Sequence, residues 1–200
     1  MIRPPDTQAP SPLVTSHPHP PTAGRDRSAD WAAGVPFEAF LPAAQQNAEL
    51  WAGVWRRASV PPDLLARAAA VPGRWKLLVL SADWCGDAVN LVPVLARLAE
   101  VAPNVELRLL DRDAHPALMD EHLTGGTARA IPAVIVLDER GVERAWWGPR
   151  PGPLQAWVKT EGQALEKGER YRHVRQWYAR DRGRTMLEEV VALLEGAARR

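Results

Sequence analysis

Trp75-Lys76-Leu77-Leu78-Val79-Leu80 is a short, nearly continuous apolar run, and the pattern of the next seventy residues decides the topology around it. Such a run reads as a central strand buried on both faces. Residues 86 to 101 carry Val89, Val92, Leu95, Ala96 and Leu98 at helical spacing, and Val105-Glu106-Leu107-Arg108-Leu109-Leu110 then alternates as a second strand. Strand, helix and strand with a full crossover predict a parallel βαβ unit, and so an α/β fold. A short helix is expected at about 116 to 124, followed by a strand from Pro132 to Leu137. Asp138-Glu139-Arg140-Gly141 is a hairpin turn, which makes Val142–Trp147 the antiparallel neighbour of that strand. A helix over 153 to 166 closes the unit.

The flanks read differently. Residues 1 to 30 hold Pro4, Pro5, Pro10, Pro12, Pro18, Pro20 and Pro21 with little apolar material, and are expected to form a disordered tail. His17 and His19 beside Pro18 lack the fixed ligand set a metal needs, so no metal is expected. From Pro36, the residues Phe37, Phe40, Leu41, Ala44, Ala48, Trp51 and Trp55 describe an amphipathic helix, the main part of a helical extension over 31 to 59. A short helix opened by Pro61-Pro62 begins the central unit, 60 to 167. A second extension, 168 to 200, carries a helix marked by Tyr171, Val174, Trp177 and Tyr178 and another that Thr185 and Glu188 would open as a capping box.

Charge narrows the function classes. With 25 basic and 24 acidic residues the net charge of +1 gives no global pull towards nucleic acid or anionic membrane. No stretch of about 18 apolar residues is present, and the N-terminus lacks the apolar segment of a secretory signal, so a cytoplasmic location is expected. Cys85 is the only cysteine, which excludes an intrachain disulfide. It lies in Ser81-Ala82-Asp83-Trp84-Cys85-Gly86-Asp87-Ala88, at the junction of the first strand and its helix.

This element order, with Trp84-Cys85-Gly86 at the end of the first buried strand, resembles the thioredoxin fold. Pro93 stands eight residues after Cys85, Ile131-Pro132 opens a strand after a short loop, and Gly148 follows the hairpin. More narrowly, Asp83-Trp84-Cys85-Gly86-Asp87-Ala88, Arg112-Asp113, Leu118-Met119-Asp120, Leu123-Thr124-Gly125-Gly126 and Trp147-Gly148-Pro149-Arg150-Pro151 resemble a bacterial group of thioredoxin-like proteins with helices added on both sides. The resemblance implies a central mixed sheet flanked by helices, a cis peptide before Pro132, and a substrate groove formed by Trp84, Gly86, Asp87, Ile131 and Pro132 around Cys85; read alone, Trp84 fits a core residue as well, and Pro132 a turn proline that starts a strand. Two departures stand out. Ala88 replaces the second cysteine of Cys-Gly-Pro-Cys, and Val79 stands where thioredoxins have a buried aspartate.

A cysteine at the start of a helix gains from free backbone N–H groups, so the thiol of Cys85 is expected to titrate below its ordinary value, less so with Asp87 in the same turn. With no resolving cysteine the expected chemistry is monothiol exchange, completed by a low-molecular-weight thiol as co-substrate and acting on a small disulfide or a protein mixed disulfide. The alternative is a redox-inactive module that binds an extended peptide in the same groove, with Cys85 a small core hydrophobe. Arg112, Arg129 and Arg150 are candidate anion contacts, each set against a structural or solvated role. No bound cofactor is expected, and oligomeric state is left open.

Overall fold

The computed structural model describes residues 16–17 and 20–200. In chain order the elements are β1 (Ser16–His17), α1 (Ser28–Ala33), α2 (Phe37–Ala43), α3 (Ala48–Arg57), α4 (Pro62–Ala70), β2 (Trp75–Ser81), α5 (Gly86–Val101), β3 (Val105–Asp111), α6 (Pro116–Asp120), β4 (Ala133–Asp138), β5 (Glu143–Trp147) and α7 (Gly152–Lys159). A 3₁₀ turn (Glu161–Ala164), α8 (Lys167–Asp181) and α9 (Arg184–Ala198) complete the described residues. The sheet has the order β1-β5-β4-β2-β3. β2 runs parallel to β3, as the crossover requires, and antiparallel to β4, which pairs in turn with β5 antiparallel, as the hairpin requires.

β2 is central, and Leu77, Leu78, Val79 and Leu80 are fully buried, which is why the run is apolar on both faces. α5 covers one side with Val89, Leu91, Val92, Leu95 and Leu98, also fully buried. The hairpin turn is held by Asp138, whose carboxylate accepts from the Arg140 and Val142 N–H groups at 2.9 and 3.0 Å. The Ile131–Pro132 and Gly148–Pro149 peptides are both cis. Gly148 has no alternative, because a Cβ there would lie 2.3 Å from the Pro132 carbonyl oxygen.

Several expectations are corrected. The expected tail over 1 to 30 lies outside the described residues up to 15 and at 18 and 19, but positions 20 to 30 are anchored to the fold at a few points. Thr22 and Arg27 are buried, Asp26 bridges to Val142, and α1 begins at Ser28. A buried ion cluster orders these residues, and apolar content, which the composition measures, has little part in it. The single helix from Pro36 is two helices broken at Gln45–Asn47, where Asn47 takes a left-handed conformation (φ 55°) and the Gln45 and Gln46 N–H groups donate to Asp83. The helix at 116 to 124 stops at Asp120. The helix over 153 to 166 is α7 followed by the 3₁₀ turn. Thr185 does not cap α9. Gly183 does, with φ 81° in the tight turn from α8, and the Thr185 hydroxyl donates back to Asp181.

Candidate functional site

Cys85 is the N-cap of α5, placed there because β2 ends at Ser81 and the chain turns through Ala82-Asp83-Trp84 into the helix. Its sulfur accepts from the Ala88 N–H at 3.5 Å and donates to the Ile131 carbonyl at 3.4 Å. The cis bond to Pro132 thus directly follows the residue that faces the thiol. Ala88 itself is fully buried, so its methyl group fills the site where a resolving sulfur would sit.

The turn holding the cysteine is fixed from outside the sheet. The carbonyl of Asp83 accepts from the Trp51 indole N–H at 2.9 Å and from the Asn47 amide at 3.1 Å, and its carboxylate takes the Gln45 and Gln46 N–H groups, both at 2.9 Å. Trp84 is left projecting, 41% exposed, with the Arg112 guanidinium 4.7 Å from its ring centroid.

Asp87 accepts from the Tyr178 hydroxyl at 2.8 Å and pairs with Arg150 at 2.5 Å. Arg150 also donates to the Gln155 side chain at 3.2 Å. Burial opposes the charge on Arg150, but Asp87 outweighs it and the guanidinium titrates above its ordinary value. Tyr178 is pushed well up, by burial first and by Asp87 next, so it remains a donor. The three residues come from α5, the loop after β5, and α8. They form a polar floor beside the sulfur.

The thiol expectation is corrected. Cys85 titrates above its ordinary value, because burial dominates and Asp87 adds to it, while the Ala88 N–H and Arg150 pull the other way and lose. A helix terminus stabilises a thiolate only as far as the sulfur is also solvated, and at 7% exposure desolvation wins. The reaction of Cys85 with a small alkylating reagent is therefore expected to rise through a midpoint more alkaline than that of a free thiol. A midpoint below about 8.5 would contradict this account.

The three candidate anion contacts are all engaged within the protein. Arg112 pairs with Asp113 at 2.8 Å and donates to the Arg129 carbonyl, and Arg129 holds Asp120 through two 2.6 Å hydrogen bonds. Arg150 is held by Asp87. Among the described residues no group of His, Cys, Asp and Glu could hold a metal ion, and no helix is long and apolar enough to cross a membrane.

Cys85, Trp84, Gly86, Asp87, Ile131 and Arg150 line one groove of about 630 Å³. Pro132, expected in the groove, is not among the residues that line it. The opposite wall is α8, which contributes Arg170, Tyr171, Val174, Arg175 and Tyr178, with Leu50 and Asn90 completing the rim. Sequence reasoning missed this wall. Those five residues fall at i, i+1, i+4, i+5 and i+8, one face of a helix, so the periodicity was present, but nothing local says what that face covers.

A strand-buried βαβ unit, an antiparallel hairpin, a cis-proline loop and a cysteine capping the first helix of the unit define a thioredoxin-like fold with one thiol. A family model, Thioredoxin_9, described as thioredoxin, matches residues 34–166. The chain belongs to that thioredoxin family. Two solved structures share the fold. The first is the Pseudomonas aeruginosa protein PA1234, of unknown function, at 24% identity and a TM-score of 0.69. The second is an HIV epitope scaffold at 20% identity and a TM-score of 0.68, and each match covers 86% of this chain and 99% of the other. No curated protein matches this chain.

Proposed function

We propose that this protein carries out slow monothiol exchange at Cys85, with an external thiol completing the cycle. The observation that carries the reading is the position of the sulfur. It lies on the wall of a 630 Å³ groove, between the first N–H groups of α5 and the Ile131 carbonyl. A disulfide entering the groove meets a thiol with an N–H donor directed at it, which is the arrangement that stabilises sulfur as it takes up negative charge.

The step balances without a second cysteine. The Cys85 proton is lost to solvent, the thiolate attacks one sulfur of the bound disulfide, and the other sulfur leaves as a thiolate that takes up a proton. An external thiolate then attacks the mixed disulfide, returning Cys85 to its reduced state and leaving with the bound fragment as a new disulfide. Burial of the thiol lowers the thiolate fraction at neutral pH, so the exchange is slow there and accelerates with alkali.

A second reading is favoured by a specific observation. The Cys85 thiol already donates to the Ile131 oxygen, and a buried, hydrogen-bonded thiol suits a groove that binds without reacting. Reduced protein treated with glutathione disulfide from about pH 5 to 10 and read by intact mass separates the two. Exchange predicts a single adduct in native protein, accelerating with pH and absent in Cys85→Ser. An adduct that forms only after denaturation would leave the binding reading in its place.

A further inference from the structure

The α8 wall of the cysteine groove has a charge that the rest of the site does not balance. Three guanidiniums, those of Arg150, Arg170 and Arg175, line the groove against one carboxylate, Asp87. Asp87 and Arg150 pair with each other, which leaves the charges of Arg170 and Arg175. Neither has a side-chain hydrogen bond or an ion-pair partner among the described residues. Arg112, Arg129 and Arg150, the other arginines around Cys85 and Ile131, are each held by a carboxylate. Arg170 and Arg175 also share with Tyr171 and Val174 the helix face that closes the groove.

We infer that the groove takes a small anionic thiol or its disulfide, with Arg170 and Arg175 holding the acidic groups while its sulfur reaches Cys85. This deepens the exchange reading above and rests on it for the reaction, though not for the binding. The occupant is a small molecule because α8, held at Tyr178 by Asp87, walls the groove on one side and leaves a volume of about 630 Å³. The exposed apolar rim of Trp84, Leu50 and Tyr171 gives the non-charged part of such a molecule a surface to lie on. Carboxylate and phosphate groups satisfy a guanidinium fork equally, so a peptide thiol and a nucleotide-bearing thiol share the chemistry.

The test compares thiolation rates of Cys85 by four disulfides at low ionic strength. Glutathione disulfide and coenzyme A disulfide are anionic, hydroxyethyl disulfide is neutral and cystamine is cationic. The anionic reagents are expected to react about tenfold faster than cystamine, after each rate is divided by that for a denatured control, since each of two exposed ion pairs contributes only modestly. The preference, read as the ratio of anionic to neutral-disulfide rates within each protein, should shrink with added salt and vanish in the Arg170→Gln/Arg175→Gln double variant. Which anionic reagent reacts faster identifies the source of the acidic group. A cystamine rate equal to or above the anionic ones, or a preference that survives in the double variant, overturns the inference.

Should no disulfide react with native protein, exchange fails and binding still decides. Calorimetric titration of Cys85→Ser with S-methylglutathione and with coenzyme A is then the readout. Binding that is lost when Arg170→Gln and Arg175→Gln are added to Cys85→Ser upholds the anionic groove, and its absence for both compounds overturns it.

Discussion

Replacing Asp87 by Asn is expected to destabilise the protein by about 3 kcal/mol and at the same time to make Cys85 more reactive. Asp87 is the acidic partner of Arg150 and the acceptor for Tyr178. An asparagine oxygen can still take the Tyr178 hydroxyl, but its amide faces the guanidinium with no charge to offer. A largely enclosed cation then loses its counter-ion, and the low end of the cost of breaking a buried pair applies because Arg150 keeps some solvent contact. The thiol responds in the opposite sense. Asp87 holds its titration up and Arg150 draws it down, so removing the carboxylate leaves only the favourable charge beside the sulfur. Urea unfolding and the pH dependence of alkylation, measured on the same variant, check both halves. Lost stability with an unmoved thiol midpoint would show that the two groups are not electrostatically linked.

The second large effect lies away from the groove. Glu143 is fully buried on β5 and accepts from the Thr22 hydroxyl, from Arg27 at 2.9 Å and from His122 at 3.0 Å. Arg27 reaches on to Glu121, and the other ring nitrogen of His122 lies 2.8 Å from the Leu118 carbonyl. Glu143→Ala is expected to cost about 4 kcal/mol, because Arg27 and His122 stay buried with a shared acceptor gone. The same cluster sets an acid limit. Burial alone would raise the Glu143 carboxyl, but His122, Thr22 and Arg27 outweigh it and the group titrates below its ordinary value. A depressed folded value means the stabilisation is complete above the unfolded value of about 4.3 and is lost as pH falls through the folded one. Unfolding midpoints between about pH 3 and 7 should therefore fall on acidification in the wild type and change less in Glu143→Ala. Parallel profiles would exclude Glu143 as the group responsible.

How much of this could be read in the chain varies with how local the signal is. The βαβ unit and the Asp138–Gly141 turn were legible because apolar period and turn chemistry each act over a few residues, whereas the approach of Ile131 to Cys85, from far along the chain, was implied only by the family resemblance. The Glu143 cluster was not, since Thr22, Arg27 and His122 meet it from distant parts of the chain and polar residues carry no periodic mark. The state of Cys85 failed for the same reason. Its place at a helix terminus is local, while the burial that overrides the terminus comes from the surrounding fold. The α8 face lay between these cases, with a visible stripe and no visible partner.

The bonds around Asp83 bear on where this molecule divides, if it divides at all. Four donors from the segment between α2 and α3, and from α3 itself, converge on the one residue two places before the cysteine. Trp51, one of them, is fully buried within the same continuous core as β2 and α5. The turn before Cys85 is thereby tied to α3 and the segment ahead of it, and an opening of that segment is expected to release the cysteine turn with it. The family match, which begins at residue 34, takes in α2 and α3 ahead of β2, so the segment that fixes the cysteine turn lies within the matched residues.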